Sequence, residues 1–404
     1  SSDVCSSDLF PAFLDRHHAQ LPDQPFMITE YGADADPRIR SMQPVRFDKS
    51  VEYATAFHQY YLAEIRKRPF VAGAVVWNLA DFNSETRTET MPHINNKGLL
   101  TWDRIPKDAY YLYQAGLLKD PYLRITSSAW KYRSGIADSA GLFCIQPVQV
   151  ATNLPEVDIY LNGRFFRKVL TVNGLAEVRL PFVQGKNQVM VKGEKNGLSY
   201  NDKLDIQFKL VPQQLSDRHI PFTSVSLLLG ANRLFIEEEN SNCWMPAKAY
   251  STGGWGYIGG YPFLIRDKGR LPYGTDKNIL GTMNDPIYQT QLEGIRAFRF
   301  DVPDGNYEMK LHFAELKGGF VPVPPYNLSE SARDEIAVPR VFDVTVNGMP
   351  WIERLNLRKE YGPDKAVIKT RTISVKNGSG IQVDFTPIEG ETVLNAIQLT
   401  KLPK

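Results

Sequence analysis

Residues 25–33, Pro25-Phe26-Met27-Ile28-Thr29-Glu30-Tyr31-Gly32-Ala33, predict a short buried β-strand that ends in a carboxylate. The first part is apolar, Glu30 stands at the C-terminal end, and Gly32 lets the chain turn away. The mouth of a buried parallel strand is where a (β/α)-barrel enzyme keeps its chemistry. Glutamates also end apolar runs on protein surfaces, so this stretch alone leaves open a catalytic acid or a strand-end surface residue.

The residues that follow predict a second strand of the same kind. Residues 49–68 have helical spacing, with apolar side chains on one stripe and basic residues in the last turn, and Pro69 ends the helix. Residues 70–78 are apolar without alternation, which predicts a strand covered on both faces. A long polar loop over 81–97 and a helix over 107–118 follow. This order predicts the last two units of a parallel (β/α)8 TIM barrel, with the loop at its catalytic rim.

Three stretches resemble, in order and spacing, the end of the catalytic barrel of glycoside hydrolase family 2. They are PFMITEYGA (25–33), GAVVWNLADF (73–82) and INNKGLLTWDRIPKDAYYLYQA (94–115). The family includes β-galactosidases, β-glucuronidases and β-mannosidases, and it retains anomeric configuration by means of two carboxylates about 5 Å apart. The resemblance implies that Glu30 is the nucleophile, that Tyr31 hydrogen-bonds its carboxylate and that Trp77 forms an apolar floor under the sugar.

Other readings of these rim residues remain open. Trp77 is equally compatible with an ordinary core aromatic. Asn78 and Asp81 are expected to brace the rim through hydrogen bonds.

Asn95 and Lys97 resemble the pair with which β-glucuronidases of this family hold a sugar carboxylate. An ammonium and an amide donor suit that group, because charge-assisted hydrogen bonds are stronger than neutral ones. Similar loops ending in Lys-Gly-Leu occur in members that act on neutral sugars, so a loop-anchoring role for Lys97 is the alternative. A β-galactosidase-like activity is therefore the first choice and a β-glucuronidase-like activity the second.

Residues 1–9, SSDVCSSDL, resemble the translation of a common sequencing adaptor, and we expect them to be an assembly artefact. The family's general acid/base, a Glu preceded by Asn, has no counterpart, since the carboxylates between residue 9 and Glu30 are Asp15 and Asp23, and neither follows a buried strand. We therefore expect a C-terminal fragment that is inactive alone, because general acid catalysis is typically worth about 10²–10⁴-fold. A non-catalytic carbohydrate-binding protein is the alternative.

Composition fits a multidomain protein without nucleic-acid or membrane signals. The chain has 404 residues, which suggests two or three domains, and a net charge of +2, which does not favour nucleic acid. No apolar run is long enough to span a bilayer. Cys144 and Cys243 fall in different predicted domains, and metal-binding motifs are absent, so neither a disulfide framework nor a metal or other cofactor is expected. We expect an oligosaccharide or polysaccharide substrate and a periplasmic or secreted bacterial location.

Residues 122–212 predict an immunoglobulin-like β-sandwich. Short alternating runs are separated by turns such as Asn162-Gly163, and Asn-Gly is the strongest short hairpin signal. NLPEVDIYLNGRFF (153–166) resembles the accessory sandwiches that follow the barrel in this family, so a scaffold role is expected. Residues 213–221 read as a linker.

Residues 222–404 resemble a malectin-like domain, a jelly-roll carbohydrate-binding module. The matching blocks are GTMNDPIYQTQLEG (281–294), AFRFDVPDGNYEMKLHFAEL (297–316), PRVFDVTVNGMPW (339–351) and VLNAIQLTK (393–401). Residues 317–338 form an insertion with Pro322, Pro324 and Pro325, which predicts a loop because proline cannot donate to a sheet ladder.

Sugar binding on a β-sandwich needs flat aromatic faces and a few polar groups. Residues 250–261 space aromatic residues among glycines, which predicts an exposed loop. The candidates in it, of which at least one is expected to contact sugar, are Trp255, Tyr257 and Tyr261. The resemblance adds Tyr288 and Glu315, with a strand-end salt bridge as the alternative for Glu315. Lys317 begins the segment that replaces an aromatic pair of malectin, so that protein's disaccharide specificity is not transferred.

Overall fold

The computed structural model describes most of the chain. The described residues are 9–85, 87, 89–237, 239, 241–264, 272–318, 320–321, 333–334 and 336–403. Cys5 and the predicted prolines of the insertion lie outside these residues. Within this part of the chain, no helix combines the length and the apolar character needed to cross a membrane.

The N-terminal segment contains the predicted pair of parallel strands. Its elements are α1 (Leu9–Gln20), β1 (Phe26–Tyr31), β2 (Ile39–Arg40), α2 (Val51–Arg66), β3 (Val71–Val76), β4 (Phe82–Asn83), β5 (Ile94–Asn95) and α3 (Asp108–Leu117). Strand β1 pairs in parallel with β3, and β4 pairs with β5. Helix α2 begins where the Ser50 hydroxyl accepts a hydrogen bond from the Tyr53 backbone N–H at 3.0 Å, as N-cap serines do. The elements that connect the two strands are therefore those of a parallel β-α-β unit.

The two strands are covered on one face only, so the prediction that both faces are buried is wrong for this structure. Phe26 and Ile28 pack with Tyr61 and its neighbours on the helical side. On the other side, the side chains of Met27 and Val75 are 59% and 46% exposed. Burial alternates along most of each strand because β1 and β3 form a two-stranded sheet with helices packed against one side, and register irregularities interrupt the alternation.

The central segment is a sandwich of two β-sheets. Its strands are β6 (Leu123–Ile125), β7 (Tyr132–Ile136), β8 (Phe143–Thr152), β9 (Glu156–Leu161), β10 (Arg164–Leu170), β11 (Leu175–Val183), β12 (Gly185–Lys195) and β13 (Leu198–Val211). The sheet orders are β10-β9-β12-β13-β7 and β11-β8-β6. The predicted Asn162-Gly163 turn joins β9 to β10, and both residues have the positive φ that such hairpins require. Apolar side chains such as Ile159 and Ile206 fill the space between the sheets.

We call residues 222–403 the C-terminal β-domain. Its elements are β14 (Ser224–Leu228), β15 (Leu234–Glu237), β16 (Asn242–Pro246), β17 (Trp255–Pro262), a 3-10 turn (Asp285–Ile287), β18 (Leu292–Phe300), β19 (Gly305–Phe313), β20 (Phe320–Val321), β21 (Arg333–Asp334), β22 (Val341–Val346), β23 (Met349–Leu355), α4 (Leu357–Tyr361), β24 (Val367–Val375), β25 (Ile381–Glu389), β26 (Val393–Leu394) and β27 (Ala396–Lys401). One sheet has the order β2-β15-β16-β14-β27-β19-β24, and the other β17-β18-β25-β22-β23 with β26 beside β18. A large apolar core lies between them.

Two predicted loops of this domain contain strands. The glycine-rich stretch forms β17, which pairs with β18 and has a register shift between Ile258 and Gly259. Gly259 and Gly260 have φ of 73° and 87°, so the glycines fit an irregular strand and not a free loop. In the insertion, β20 pairs with β21.

The N-terminal segment supplies the edge strand of a C-terminal sheet. Strand β2 pairs antiparallel with β15, where Ile39 lies opposite Phe235. Ile39 is fully buried and packs in one apolar cluster with Phe235 and Trp244. The N-terminal segment and the C-terminal β-domain therefore share one sheet and one apolar cluster.

Candidate active site

Glu30 and Trp77 lie on the uncovered face at the C-terminal ends of β1 and β3. The Trp77 backbone N–H donates to the Tyr31 carbonyl at 2.8 Å, which ties the two strand ends together. Glu30 is exposed, and Trp77 is 40% exposed with its ring edge-on to Phe82. The structure thus brings a carboxylate and an indole to the same edge of the sheet, as the sequence predicts.

Gly32 permits this close approach. A Cβ at position 32 would lie 2.1 Å from the Trp77 carbonyl oxygen, which no side chain could tolerate without backbone movement. The glycine after Glu30-Tyr31 therefore brings the two strand ends together.

Tyr31 points away from Glu30, so its predicted hydrogen bond to that carboxylate is not present. Its hydroxyl lies 2.7 Å from the Tyr113 hydroxyl, and its ring stacks on Tyr61 at 5.8 Å between centroids. A register irregularity between Ile28 and Tyr31 interrupts the alternation of β1, so Glu30 is exposed and Tyr31 is on the side that packs on the helices. In this structure Tyr31 links β1 to α2 and α3, and it does not line the exposed face.

His58 contacts the tyrosine that pairs with Tyr31 and is uncharged at neutral pH. The Tyr113 hydroxyl also lies 3.0 Å from Nδ1 of His58, which is buried. Burial, together with the charge of Lys107, lowers the pKa of His58 to about 3. His58 is therefore uncharged at neutral pH and belongs to the support of the strands.

The segment that contains Asn95 and Lys97 is fixed against both strand ends by backbone hydrogen bonds. Asn78 N–H donates to the Lys97 carbonyl at 3.2 Å, and Leu99 N–H donates to the Asn78 carbonyl at 3.0 Å. On the β1 side, Ala35 N–H donates to the Asn96 carbonyl at 3.0 Å. Lys97 therefore lies directly beside the residue that follows Trp77.

Asp81 and Lys107 hold the segment around Asn96 and Gly98 in place through buried hydrogen bonds. One carboxylate oxygen of Asp81 accepts from Gly98 N–H at 2.9 Å and from the Lys107 ammonium at 2.8 Å. The same ammonium donates to the carbonyls of Ala35 and Asn96. Burial raises the pKa of Asp81 and lowers that of Lys107, although each partner opposes the change. The predicted bracing role of Asp81 is thus present, whereas sequence reasoning missed Lys107.

Asp34 lies at the centre of a second charged group that sequence reasoning also missed. Its carboxylate accepts from the Lys97 ammonium at 2.7 Å and from the Lys49 ammonium at 3.2 Å, and Arg87 lies 3.9 Å away. Burial acts to raise the pKa of Asp34, but Lys49, Lys97 and Arg87 together hold it well below its usual value. Its place in the sequence could have marked Asp34 as a candidate, because it comes four residues after Glu30, just past the end of β1.

In the C-terminal β-domain, three of the predicted sugar contacts are buried. Trp255 is fully buried in the core between the sheets, because it begins a paired strand. Tyr288 is 2% exposed and its hydroxyl lies 2.9 Å from Nδ1 of His312. Glu315 is 1% exposed and faces Arg340 at 3.5 Å, which matches its salt-bridge alternative. Trp255 and Glu315 present no surface to a sugar here, whereas Tyr288 lines an open cavity of about 400 Å³ together with His312.

The other two candidates differ in exposure. Tyr261 is 50% exposed, and its hydroxyl donates to the Glu391 carboxylate at 2.7 Å. Tyr257 is partly buried against the core. A sugar contact in this domain stays a prediction, with Tyr261 as its most exposed aromatic candidate.

Two family models match this chain. Residues 8–119 match the family model for glycosyl hydrolases family 2, TIM barrel domain, and residues 260–399 match the malectin domain model. The chain joins a family 2 barrel region to a malectin domain. The resemblance predicted from the sequence is confirmed.

Proteins similar in sequence to this chain include several that are named β-glucuronidase. The protein from Bacteroides fragilis is 33% identical over 162 residues, which are 37% of this chain and 22% of that protein. The human protein is 30% identical over 117 residues, which are 29% of this chain and 17% of that protein. These names fit a glucuronidase-like enzyme better than the β-galactosidase-like first choice, so the order of the two predictions is reversed.

Solved structures extend the likeness over the malectin domain. Bacteroides uniformis β-glucuronidase 2, covalently bound to cyclophellitol-6-carboxylate aziridine, has a TM-score of 0.85 and 31% identity, and the match covers 98% of this chain and 44% of that one. A crystal structure of Bacteroides uniformis β-glucuronidase has a TM-score of 0.85 and 32% identity. The chain thus spans less than half the length of the relatives it matches.

Proposed function

We propose that this chain belongs to a retaining β-glucuronidase that releases terminal β-linked uronic acids. One observation carries the proposal: the Asn95–Lys97 segment is hydrogen-bonded to the strand ends that present Glu30 and Trp77. These backbone contacts support a site in which Glu30 is the nucleophile, Trp77 the apolar platform and Lys97 the cation for a sugar carboxylate. The names of the relatives support the same substrate class.

Glu30 acts as the nucleophile in this proposal. Its carboxylate attacks the anomeric carbon, the glycosidic bond breaks, and a covalent glycosyl-enzyme forms that water then hydrolyses. A retaining reaction also needs a second carboxylate as acid and then base, to which no residue of this chain is assigned. Trp77 supplies an apolar surface for one face of the sugar ring.

Lys97 and Asn95 select the uronic acid. The Lys97 side chain is 22% exposed, so its ammonium can reach a ligand while it keeps its contact with Asp34. An ammonium binds a carboxylate more strongly than the hydroxymethyl group of a neutral sugar, because the hydrogen bond is charge-assisted. Discrimination between glucuronides and glucosides should therefore depend on this residue.

The rest of the chain supports the barrel and carries a binding module. We propose that residues 10–121 are the end of a (β/α)8 barrel, that residues 122–212 form an immunoglobulin-like scaffold, and that residues 222–404 form a malectin-like jelly roll that binds carbohydrate. Half-exposed Tyr261 is the aromatic candidate for that binding. A bacterial periplasmic or secreted location fits a polysaccharide-derived substrate.

The test uses the complete gene product that contains residues 10–404. It should hydrolyse 4-nitrophenyl β-glucuronide and not the corresponding galactoside, and Lys97→Met should abolish this preference. A carboxylate-bearing cyclophellitol aziridine, the class bound by the Bacteroides uniformis relative, should label the peptide that contains Glu30. A galactoside preference, or label on another residue of a working enzyme, would exclude the proposal.

A further inference from the structure

Lys97 is a flexible side chain that must be held in one place to discriminate between sugars. We propose that two buried residues of the C-terminal β-domain, Arg233 and Gln289, position its ammonium for the sugar carboxylate. They act through the backbone around Lys49 and Glu89 and through Asp34. This inference rests on the proposed function and assigns the malectin-containing domain a part in substrate selection.

The first step of the path is the pair between Asp34 and Lys97. The 2.7 Å contact fixes the ammonium, and Asp34 is itself ionised because its cationic neighbours hold its pKa low. A lysine on four rotatable bonds carries about 2 kcal/mol of rotamer entropy, so a fixed partner pre-organises it. Asp34 is therefore a positioning residue for Lys97.

The second step is Lys49, which joins Asp34 to Glu89. Its ammonium lies 3.2 Å from Asp34 and 3.1 Å from Glu89, and its side chain is 7% exposed. Burial alone would lower the pKa of Lys49, but the two carboxylates raise it well above the usual value, so the residue stays charged. Lys49 also has a φ of 63°, a left-handed conformation that a non-glycine residue holds only when its surroundings support it.

The third step is the support that the C-terminal β-domain gives to this backbone. The Arg233 guanidinium donates to the Asp48 carbonyl at 2.6 Å and lies 3.5 Å from the centre of the Tyr273 ring. The Gln289 amide donates to the Glu89 carbonyl at 2.6 Å. Arg233 is 2% exposed and Gln289 is fully buried. The C-terminal β-domain thus anchors Asp48, which precedes Lys49 in the chain, and Glu89, whose carboxylate contacts the Lys49 ammonium.

A purely adhesive role is the competing explanation. The pairing of β2 with β15 and the burial of Ile39 already attach the two parts. The polar contacts of Arg233 and Gln289, in contrast, converge on the residue before Lys49 and on the carboxylate residue that binds it. An experiment can separate the two explanations because only positioning acts through Lys97.

The experiment measures kcat and KM for 4-nitrophenyl β-glucuronide in the complete gene product. Asp34→Asn and Arg233→Met should each raise KM by about tenfold or more, the order expected for one charge-assisted hydrogen bond, with a smaller effect on kcat. In the Lys97→Met background the same substitutions should have almost no further effect, because the group they position is gone. Arg233→Lys, which keeps a cationic donor, should restore part of the loss.

Arg371→Met is the matched control. Arg371 also lies over an aromatic ring, Trp351, and donates to a backbone carbonyl of the same domain, that of Pro350. It should leave KM unchanged. Equal effects of Arg233→Met and Arg371→Met, or additive effects with Lys97→Met, would overturn the inference while leaving the proposed function intact. A wild-type enzyme without glucuronidase activity would overturn both, and thermal unfolding of each variant identifies any loss of folding.

Discussion

Replacing Ile39 with Ala should destabilise the C-terminal β-domain by about 2–5 kcal/mol, although Ile39 belongs to the N-terminal segment. The side chain is fully buried beside Phe235 and Trp244, so its loss removes apolar contacts and leaves a cavity. Other contacts also hold this strand, among them the 2.7 Å hydrogen bond from Ile236 N–H to the Arg38 carbonyl and the ion pair between Arg40 and Glu52. We therefore expect the upper part of this range only if the strand detaches.

Hydrogen exchange with mass spectrometry under increasing urea is the assay, because a multidomain chain need not unfold in one step. Peptides from β14, β15 and β16 should lose protection at lower urea in Ile39→Ala than in the unmodified chain. Ile368→Ala is the control, since Ile368 lies in the same sheet but is 53% exposed. A change in Ile39→Ala no larger than the control, about 0.5 kcal/mol, would refute the shared-sheet reasoning.

Three further predictions concern the strand ends and the helices that support them. Glu30→Gln should lower kcat of the complete enzyme more than about 100-fold with little change in substrate affinity, and pre-steady-state kinetics would show whether the covalent step is lost. Tyr31→Phe should keep activity within about threefold but cost about 1 kcal/mol in urea unfolding, because its hydroxyl bonds Tyr113 and not the substrate side. A large kcat loss would contradict that orientation. His58, with its pKa lowered to about 3 in the folded chain against about 6.5 unfolded, should contribute stability that is fully present above pH 6.5 and lost as the pH falls toward 3, by about 1.4 kcal/mol per unit. A His58→Gln chain with the same pH slope would contradict this assignment.

The sequence predicted the parallel strands and the rim segment because both depend on local pattern. Apolar runs ending at Glu30 and Trp77 and the spacing of Asn95 and Lys97 are visible without knowledge of the fold. The direction of Tyr31 was misjudged because a register irregularity between Ile28 and Tyr31 interrupts the alternation of β1, whereas strict alternation from Phe26 and Ile28 would place Tyr31 on the exposed face.

The features that sequence reasoning missed depend on contacts between distant residues. Strand β2 has two residues, too few to give a periodic signal, and its partner β15 lies in another domain. Trp255 is buried because β17 pairs with β18, and the many glycines of β17 led to the prediction of a loop instead of a strand. Asp34 and Lys49 became noticeable only when the fold brought them to Lys97.

The pairing of β2 with β15 has a consequence for synthesis of the protein. Ile39 and Phe235 are partners in the sheet, yet about 200 residues separate them along the chain. At about 5–20 residues per second, the ribosome needs on the order of 10–40 s to deliver the second partner after the first. During that interval β2 has no β15 to pair with. A chaperone that binds the nascent chain, or slowly translated codons, would therefore act on the segment that contains Ile39.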